Sequence, residues 1–125
     1  MNAEPEPMPE AIKELLAAER ARRETIAAAL PDARAGLARL VDCCANKTGQ
    51  SYKVRALLYS LWNGKPAALI EIVGLDHELR EALLAVLRVF GSNDFFYETV
   101  ADAFKAAGLF PWLTEESENT ASLNP

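Results

Sequence analysis

The stretch NKTGQSYKVRALLYSLWNG, residues 46–64, decides the fold class. Its apolar residues recur at helical spacing and predict a core helix. These residues are Val54, Leu57, Leu58, Leu61 and Trp62. Ser51 is placed to cap this helix through its hydroxyl, and Asn63-Gly64 favours the left-handed backbone that ends a helix. Because every charge in the stretch is positive, its polar face is either a solvated surface or a binding surface.

Charge is divided unevenly along the 125 residues. The net charge is −4 over residues 1–19, +6 over residues 20–65 and −7 over residues 66–125, which leaves −5 for the whole chain. Such asymmetry indicates recognition of a charged partner and says nothing about the fold. We expect a partner-binding patch from the basic segment, formed by Arg20, Arg22, Arg23, Lys47, Lys53 and Arg55.

Length and composition indicate one largely helical domain with a single core. No apolar run approaches the roughly 20 residues of a membrane-spanning helix. The acidic, proline-rich start MNAEPEPMPE is unlike a signal peptide, so we expect a cytoplasmic protein without a membrane partner. The only cysteines, Cys43 and Cys44, are adjacent, a spacing that suits neither a disulfide nor a metal site. We interpret them as reduced, half-buried thiols on a helix.

Two helices are predicted ahead of the opening stretch. Residues 9–30 keep helical spacing, but Glu19, Arg22 and Arg23 interrupt the apolar stripe, so this helix is expected to lie edge-on or to protrude. The same spacing allows Glu19 to form ion pairs with both arginines within the helix. Pro31 is expected to stop the first helix and open the second. The apolar face of the second helix consists of Leu37, Leu40, Val41 and Cys44.

Shorter elements are predicted after residue 64. Residues 67–75 fit a short helix or a strand, and we prefer a helix because no second strand pattern lies nearby. Asp76 is a suitable cap for a helix that runs to Phe90, and Ser92 or Asn93 is a suitable cap for a last helix. The apolar segment LFPWL, residues 109–113, is expected to fold back as a lid on the bundle.

These elements together predict an all-α protein, a compact single-domain bundle or array of five to six helices. The polar, acidic stretch that follows the lid has the composition of a disordered segment. The predicted organisation is a disordered N-terminal tail at residues 1–8, a helical domain at residues 9–113 and a disordered acidic C-terminal tail at residues 114–125.

Catalytic and metal-binding motifs are not evident in the sequence. The single histidine, His77, lies in DHELRE, where Glu81 occupies the place of the second histidine of a zinc HExxH helix. We therefore expect His77 to be an exposed residue in the first turn of its helix. The stretch TGQSYK lacks the order of a phosphate-binding loop, and no GxSxG is present. We expect a protein that is not an enzyme and needs no cofactor or metal.

A resemblance lies in the middle of the chain, between residues 48 and 87. The residues that carry it are TGQS at 48–51, Val54, Leu57, Leu58, LWNG at 61–64, and Leu75-Asp76 with the helix after it. In these the chain resembles small uncharacterised bacterial proteins that are often encoded on plasmids and other mobile elements. The resemblance implies a helical cytosolic accessory protein of unknown function, and it implies no active site.

Two hypotheses for function remain open. The first is a binding protein whose partner is another protein, reached through the basic patch or through the aromatic pair Phe110 and Trp112. Self-association through the first helix or residues 109–113 is a variant of it. The second is a small helix-turn-helix-like DNA-binding regulator that uses the helix from Ser51 to Trp62. Nucleic acid is the less favoured partner, because the acidic remainder of the chain would repel phosphates.

Overall fold

The computed structural model describes residues 7–46 and 48–114, and this part of the chain contains six helices and no strand. They are α1 (Glu10–Ala45), α2 (Gly49–Asn63), α3 (Ile70–Val73), α4 (His77–Val89), α5 (Tyr97–Ala106) and α6 (residues 110–114). The prediction of an all-α domain is confirmed, as is the preference for a helix within residues 67–75. Most of the two predicted tails, residues 1–6 and 115–125, lies outside the described residues. Across the described ranges, no helix is long and apolar enough to cross a membrane.

Helix α1 is continuous through Pro31, so the predicted division into two helices is wrong. A proline inside a helix deprives the carbonyl four residues earlier of its backbone donor and costs roughly 3 kcal/mol. Both Pro31 and Ala27, which carries that carbonyl, lie on the exposed side of α1, where water can solvate the freed oxygen. Core packing further along the helix offsets the remaining cost. The buried residues of α1 are Ala33, Gly36, Leu37, Leu40, Val41 and Cys44.

The principal helix pair of the bundle is α1 with α4. The two helices run in opposite directions. Glu78 at the start of α4 pairs with Arg39 of α1, and Ala82, one turn further along α4, lies against Gly36, which precedes Arg39. A Cβ atom added to Gly36 would lie 2.6 Å from the Ala82 carbonyl oxygen. The missing side chain therefore sets how closely the two backbones approach.

The other helices close the core around this pair. Helix α2 packs against α1 and α5, and α3 packs against α2. Helix α6 contributes Leu113, which is fully buried, so the predicted lid over the bundle is confirmed. Each fully buried aliphatic or aromatic side chain contributes about 1.5–3 kcal/mol of transfer free energy. The largest of these residues are Leu40, Leu58, Leu83, Phe95, Phe104 and Leu113.

The start of α2 differs from the prediction by one turn. Thr48, and not Ser51, occupies the capping position, and its hydroxyl accepts the Ser51 backbone N–H at 3.4 Å. Ser51 lies in the first turn, fully buried, and its hydroxyl donates to the Thr48 carbonyl at 2.9 Å. The predicted helix end is confirmed, because Gly64 has a φ of 80°. Both ends of the helix are thus fixed by local chemistry.

The start of α5 lies later than predicted, whereas that of α2 lies earlier. Residues 92–95 form a turn that places Phe95 in the core, so neither Ser92 nor Asn93 caps the helix. The helix begins at Tyr97, and the hydroxyl of Thr99 accepts the backbone N–H of Phe96 at 3.2 Å. Burial of the Phe95 ring determines the geometry here, which a capping pattern alone does not reveal.

Candidate interaction surfaces

The first part of α1 extends from the bundle as a helical arm, which we define as residues 10–25. Every residue of the arm is exposed except Glu19, which is half-buried. Its apolar residues Ile12, Leu15 and Leu16 are 44%, 69% and 51% exposed. They continue, at helical spacing, the same face that packs into the core further along α1. The face that is buried in one half of the helix is therefore uncovered in the other.

The arginines of the arm take part in the ion pairs that their spacing predicts. Glu19 pairs with Arg22, and its Oε1 lies 3.4 Å from Nε of Arg23. Such exposed pairs within a helix contribute about 0.5 kcal/mol or less, so they support the helix only weakly. Arg20 is also exposed. These three arginines remain accessible to a partner, and their role in binding stays a prediction.

Arg55 lies in the core, contrary to the expectation that it belongs to a solvated basic face. It is 1% exposed, and its guanidinium carbon lies 3.6 Å from the ring centre of Trp112 and 4.7 Å from that of Tyr52. A planar guanidinium stacks on aromatic rings while its aliphatic stem packs among apolar groups. The signal for burial was its spacing, since it follows Ser51 by four residues and precedes Leu58 by three, and both are buried.

The polar residues in the first turns of α2 hold the start of α4. The Gln50 amide donates to the Gly74 carbonyl at 3.3 Å, and its oxygen accepts the Asp76 N–H at 2.9 Å. The ammonium of Lys53 donates to the same Gly74 carbonyl at 3.4 Å. A helix-turn-helix protein would use side chains at these positions to reach base edges. Here they bind backbone groups of the loop that precedes α4.

The predicted basic patch does not form one surface. Lys53 lies beside the start of α4, at the end of the bundle where Arg39 pairs with Glu78. Arg22 precedes Arg39 by 17 residues, which is about 25 Å along a helix. The three arginines of the arm are therefore far from Lys53, and Arg55 lies in the core. Lys47 lies outside the described residues.

The predicted C-terminal aromatic pair closes the bundle. Both rings are half-buried: Phe110 lies 5.3 Å edge-on from Trp62, and Trp112 lies 5.9 Å edge-on from Tyr52. The ammonium of Lys105 lies 4.9 Å from the Phe110 ring. These contacts give the pair a structural role in docking α6. Partner binding by Phe110 and Trp112 stays a prediction.

A second exposed apolar surface, the α3 ridge, is formed by Leu69, Ile70 and Val73. Their exposed fractions are 78%, 69% and 64%. The ridge borders a shallow apolar groove of about 200 Å³ between α2, α3 and α4. Helical spacing does not reveal this surface, because Leu69, Ile72 and Val73 share the spacing of a short helix, yet of these three only Ile72 is half-buried.

A polar cleft surrounds His77, which is exposed at the start of α4 as predicted. The cleft brings together Arg39, Asp42, Cys43, Asn46, Asp76, His77, Glu78 and Leu79.

Burial raises the pKa of the Cys43 thiol, and the carboxylates of Asp76 and Asp42 raise it further. Burial also raises the pKa of Cys44 to about 12. Because the thiolate is the reactive form, both thiols are poor nucleophiles near neutral pH. No group of three or more metal ligands occurs within residues 7–46 and 48–114.

The two thiols are expected to react slowly in the folded protein. Cys44 is buried and donates to the Ser51 carbonyl at 3.9 Å, which holds its proton. At pH 8 a disulfide reagent such as Ellman's reagent should label Cys43 slowly and Cys44 not at all, and both should react after unfolding in guanidinium. Since both pKa values are raised, the thiolate fraction of each residue at a given pH is lower than that of a free cysteine, and labelling should still be accelerating at pH values where a free cysteine is fully ionised. Prompt labelling of the native Cys43→Ser variant, which retains Cys44, would contradict the assignment.

Comparison with known proteins gives a family match over the bundle. No curated protein and no solved structure matches this chain. A family of unknown function (DUF7673) matches residues 34–107, a range that begins within α1 and ends just after α5. The match covers more than half of the chain and includes the α1–α4 pair, whereas the arm lies before it. The chain therefore belongs to this family of unknown function, DUF7673.

Proposed function

We propose that this chain is a non-enzymatic binding protein that attaches to another polypeptide through the apolar face of the arm. The observation that carries the proposal is the exposure of Ile12, Leu15 and Leu16 on a helix that the bundle does not cover. Contiguous apolar surface on a soluble protein commonly marks an interaction site, and amphipathic helices bind by laying such a face against another helix or into a groove.

The limited stability of the arm supports the same proposal. A helical segment of this length is marginal in water unless its apolar face is packed. The ion pairs of Glu19 contribute little, and the proline-rich start offers no side-chain cap, since Pro9 occupies the capping position. A partner that covers the apolar face would add the packing that the bundle does not provide. Binding and ordering of the arm are thus expected to occur together.

The alternative of a DNA-binding regulator draws no support from the placement of α2. Gln50 and Lys53 bind the loop before α4, and Arg55 lies in the core. A change of Arg55 to glutamate would place a carboxylate in the core and unfold the protein, so loss of DNA binding in that variant would carry no information. The informative test is Lys53→Glu, which we expect to leave the protein folded. We expect no binding to duplex DNA at low salt by either the parent or this variant.

The remaining parts of the proposal come from sequence alone. They are a cytoplasmic location, the absence of a cofactor, and the bacterial, mobile-element origin that the resemblance over residues 48–87 implies. The raised pKa values of Cys43 and Cys44 agree with a protein that does not use its thiols for catalysis. The binding activity does not depend on any of these three predictions.

Photo-crosslinking from the arm tests the proposal. A photoreactive residue placed at position 15 of the full chain, in its host cells, should form covalent adducts with another polypeptide on illumination. The matched control is position 21, which is exposed on the opposite face of the same helix. Adducts that form from position 15 and not from position 21 are the expected result. Absence of adducts from position 15, or equal yields from both positions, would overturn the proposal.

A further inference from the structure

The geometry points to a second copy of this chain as the polypeptide that covers the arm. We propose that two arms pair antiparallel about a two-fold axis near residue 21. The inference rests on the proposed function and deepens it by naming the partner. It draws on three observations: the register of residues along α1, an open cleft beside the arm, and the charge of the two surfaces that would meet.

The register of α1 is self-complementary in an antiparallel pair. With the axis at the level of residue 21, the numbers of any two residues that lie opposite each other add up to 42. Leu16 then meets Ile26 of the second copy, and Ile12 meets Leu30. These pairs occur twice, as in any isologous interface. Ile26 and Leu30 are only half-buried by their own bundle, so each retains apolar surface for a neighbour.

The polar interruption of the stripe lies at the centre of this register. Glu19 meets Arg23 of the second copy on each side of the axis, while Arg22 lies opposite Arg20 at the exposed edge of the pair, where water screens the like charges. In a parallel pair in register, Glu19 would face Glu19 and Arg23 would face Arg23, and like charges in contact are unfavourable. The charged centre therefore selects the antiparallel arrangement, in the way that polar residues set register in coiled coils.

An open cleft of about 800 Å³ lies beside the arm and provides room for the partner helix. Its walls are formed by Glu19, Arg22, Arg23, Ile26 and Ala27 of α1 and by residues 88–94. Ile26 and Phe90 supply half-buried apolar surface within it. In the antiparallel register, Leu15 and Leu16 of a second arm would lie opposite Ala27 and Ile26, at one end of this cleft.

The charges of the two surfaces are complementary. Arginines in the cleft outnumber its acids, since Arg22, Arg23 and Arg88 face Glu19 and Asp94. The described start of the second arm, residues 10–19, lies opposite residues 23–32 in this register and has a net charge of −2. Opposite charges at an interface steer association and exclude unsuitable partners. Both of the required surfaces are present on this chain.

The same chain cannot satisfy its own cleft. Helix α1 is continuous from Glu10 to Ala45, so residues 12–16 lie on the same rigid rod as residues 19–27 and cannot fold back onto them. Only a second molecule can bring an apolar, acidic arm to the cleft. Two-fold symmetry then fills both clefts at once, which closes the assembly as a dimer.

Sedimentation equilibrium of the full chain tests the inference. At about 100 μM the mass should approach twice the 13.7 kDa of one chain, and it should fall toward one chain on dilution. The double variant Leu15→Glu, Leu16→Glu should weaken association at least ~10-fold, because it places charge in the paired face. The matched control is Ala17→Glu with Ala21→Glu, which adds the same charge on the opposite face and should change affinity less than ~3-fold.

A charge exchange tests the register. Glu19→Arg alone, and Arg22→Glu with Arg23→Glu alone, should each weaken self-association. An equimolar mixture of the two variants should restore self-association. In the mixed pair, the arginine introduced at position 19 of one chain faces the glutamate introduced at position 23 of the other. The unchanged Glu19 then faces the unchanged Arg23.

The distance between spin labels distinguishes the two helix directions. Labels at a Lys13→Cys position, in a Cys43→Ser background, should lie about 24 Å apart along the helix in the antiparallel pair. A parallel pair would bring them to about 10 Å.

A chain that stays monomeric at all concentrations up to about 0.5 mM would overturn the inference. So would a dimer that survives the Leu15 and Leu16 changes, a mixture of charge variants that does not recombine, or labels that lie close together. If the chain is monomeric and position 15 still crosslinks to a different polypeptide in cells, the proposed function stands and the self-pairing fails. If position 15 forms no adduct, both fail.

Discussion

Replacing Gly36 by valine is expected to lower the free energy of unfolding by about 3 kcal/mol or more. A Cβ atom at this position would lie 2.6 Å from the Ala82 carbonyl oxygen, which belongs to the backbone of α4 and cannot rotate away. The valine must therefore separate α1 from α4, and this pair is the principal contact of the bundle. Urea unfolding of the full chain at one fixed protein concentration measures the change.

The matched control for Gly36 is Ala35→Val, on the exposed side of the same turn. It introduces the same side chain with the same lower helix propensity and should cost less than about 1 kcal/mol. Gly36→Ala should fall between the two, because the gain in helix propensity opposes the close contact. Equal stability of the Gly36→Val and Ala35→Val variants would show that the helices do not approach each other as described.

A double-mutant cycle between Arg55 and Trp112 is expected to give the second large effect. Arg55→Ala removes a side chain that is 1% exposed and should cost about 3 kcal/mol, and Trp112→Ala should cost about 2–4 kcal/mol because it removes the ring that docks α6. The guanidinium carbon lies 3.6 Å from the ring centre, so the two changes should not be additive. We expect a coupling free energy of about 1–2 kcal/mol.

Arg55→Met separates packing from charge in this cycle. It keeps most of the buried volume and removes the cation, and a buried cation is often replaced by an apolar side chain at little cost. We therefore expect a smaller loss of stability than with alanine, and a weaker coupling to Trp112. Additivity of the Arg55→Ala and Trp112→Ala changes within about 0.3 kcal/mol would contradict the stacked arrangement.

The fold was predictable where one signal dominates. The stripe of α2 and the end at Gly64 follow from helical spacing and from the backbone freedom of glycine, and the lid follows from its apolar composition. The predicted break at Pro31 was wrong because the free-energy cost of a proline inside a helix competes with the core packing of residues 33–44. Whether the helix continues depends on contacts that a sequence pattern does not show. The start of α5 was misplaced for a similar reason, since burial of Phe95 overrides the nearby capping residues.

The candidate site was predictable only in part. The protruding helix was expected, and the ion pairs of Glu19 were expected with it. The uneven charge of the sequence favours the arginines as binding residues. The structure instead shows that Leu15 and Leu16 are exposed apolar residues that the bundle does not cover. Arg55 was placed on the surface because charged residues usually are, and a stacking partner 57 residues further along the chain cannot be inferred from spacing.

The relation between arm and bundle defines what the arm can do. The residues of α1 that are buried in the core all lie between Ala33 and Cys44, and the family match begins at residue 34. The bundle is therefore complete without the arm, and changes at Leu15 or Leu16 should leave it folded. This separation makes the arm suitable for testing, because loss of binding and loss of folding can be measured independently.

Hydrogen exchange of the arm amides tests the central claim most directly, namely that a second copy of this chain covers the apolar face of the arm. In the full chain at about 100 μM, amides of residues 12–24 should exchange slowly, and they should lose protection on dilution or after the Leu15→Glu, Leu16→Glu change. Amides of residues 33–44 should remain protected throughout, because their burial belongs to the bundle. Arm amides that exchange as fast as an unstructured peptide at every concentration would contradict the account.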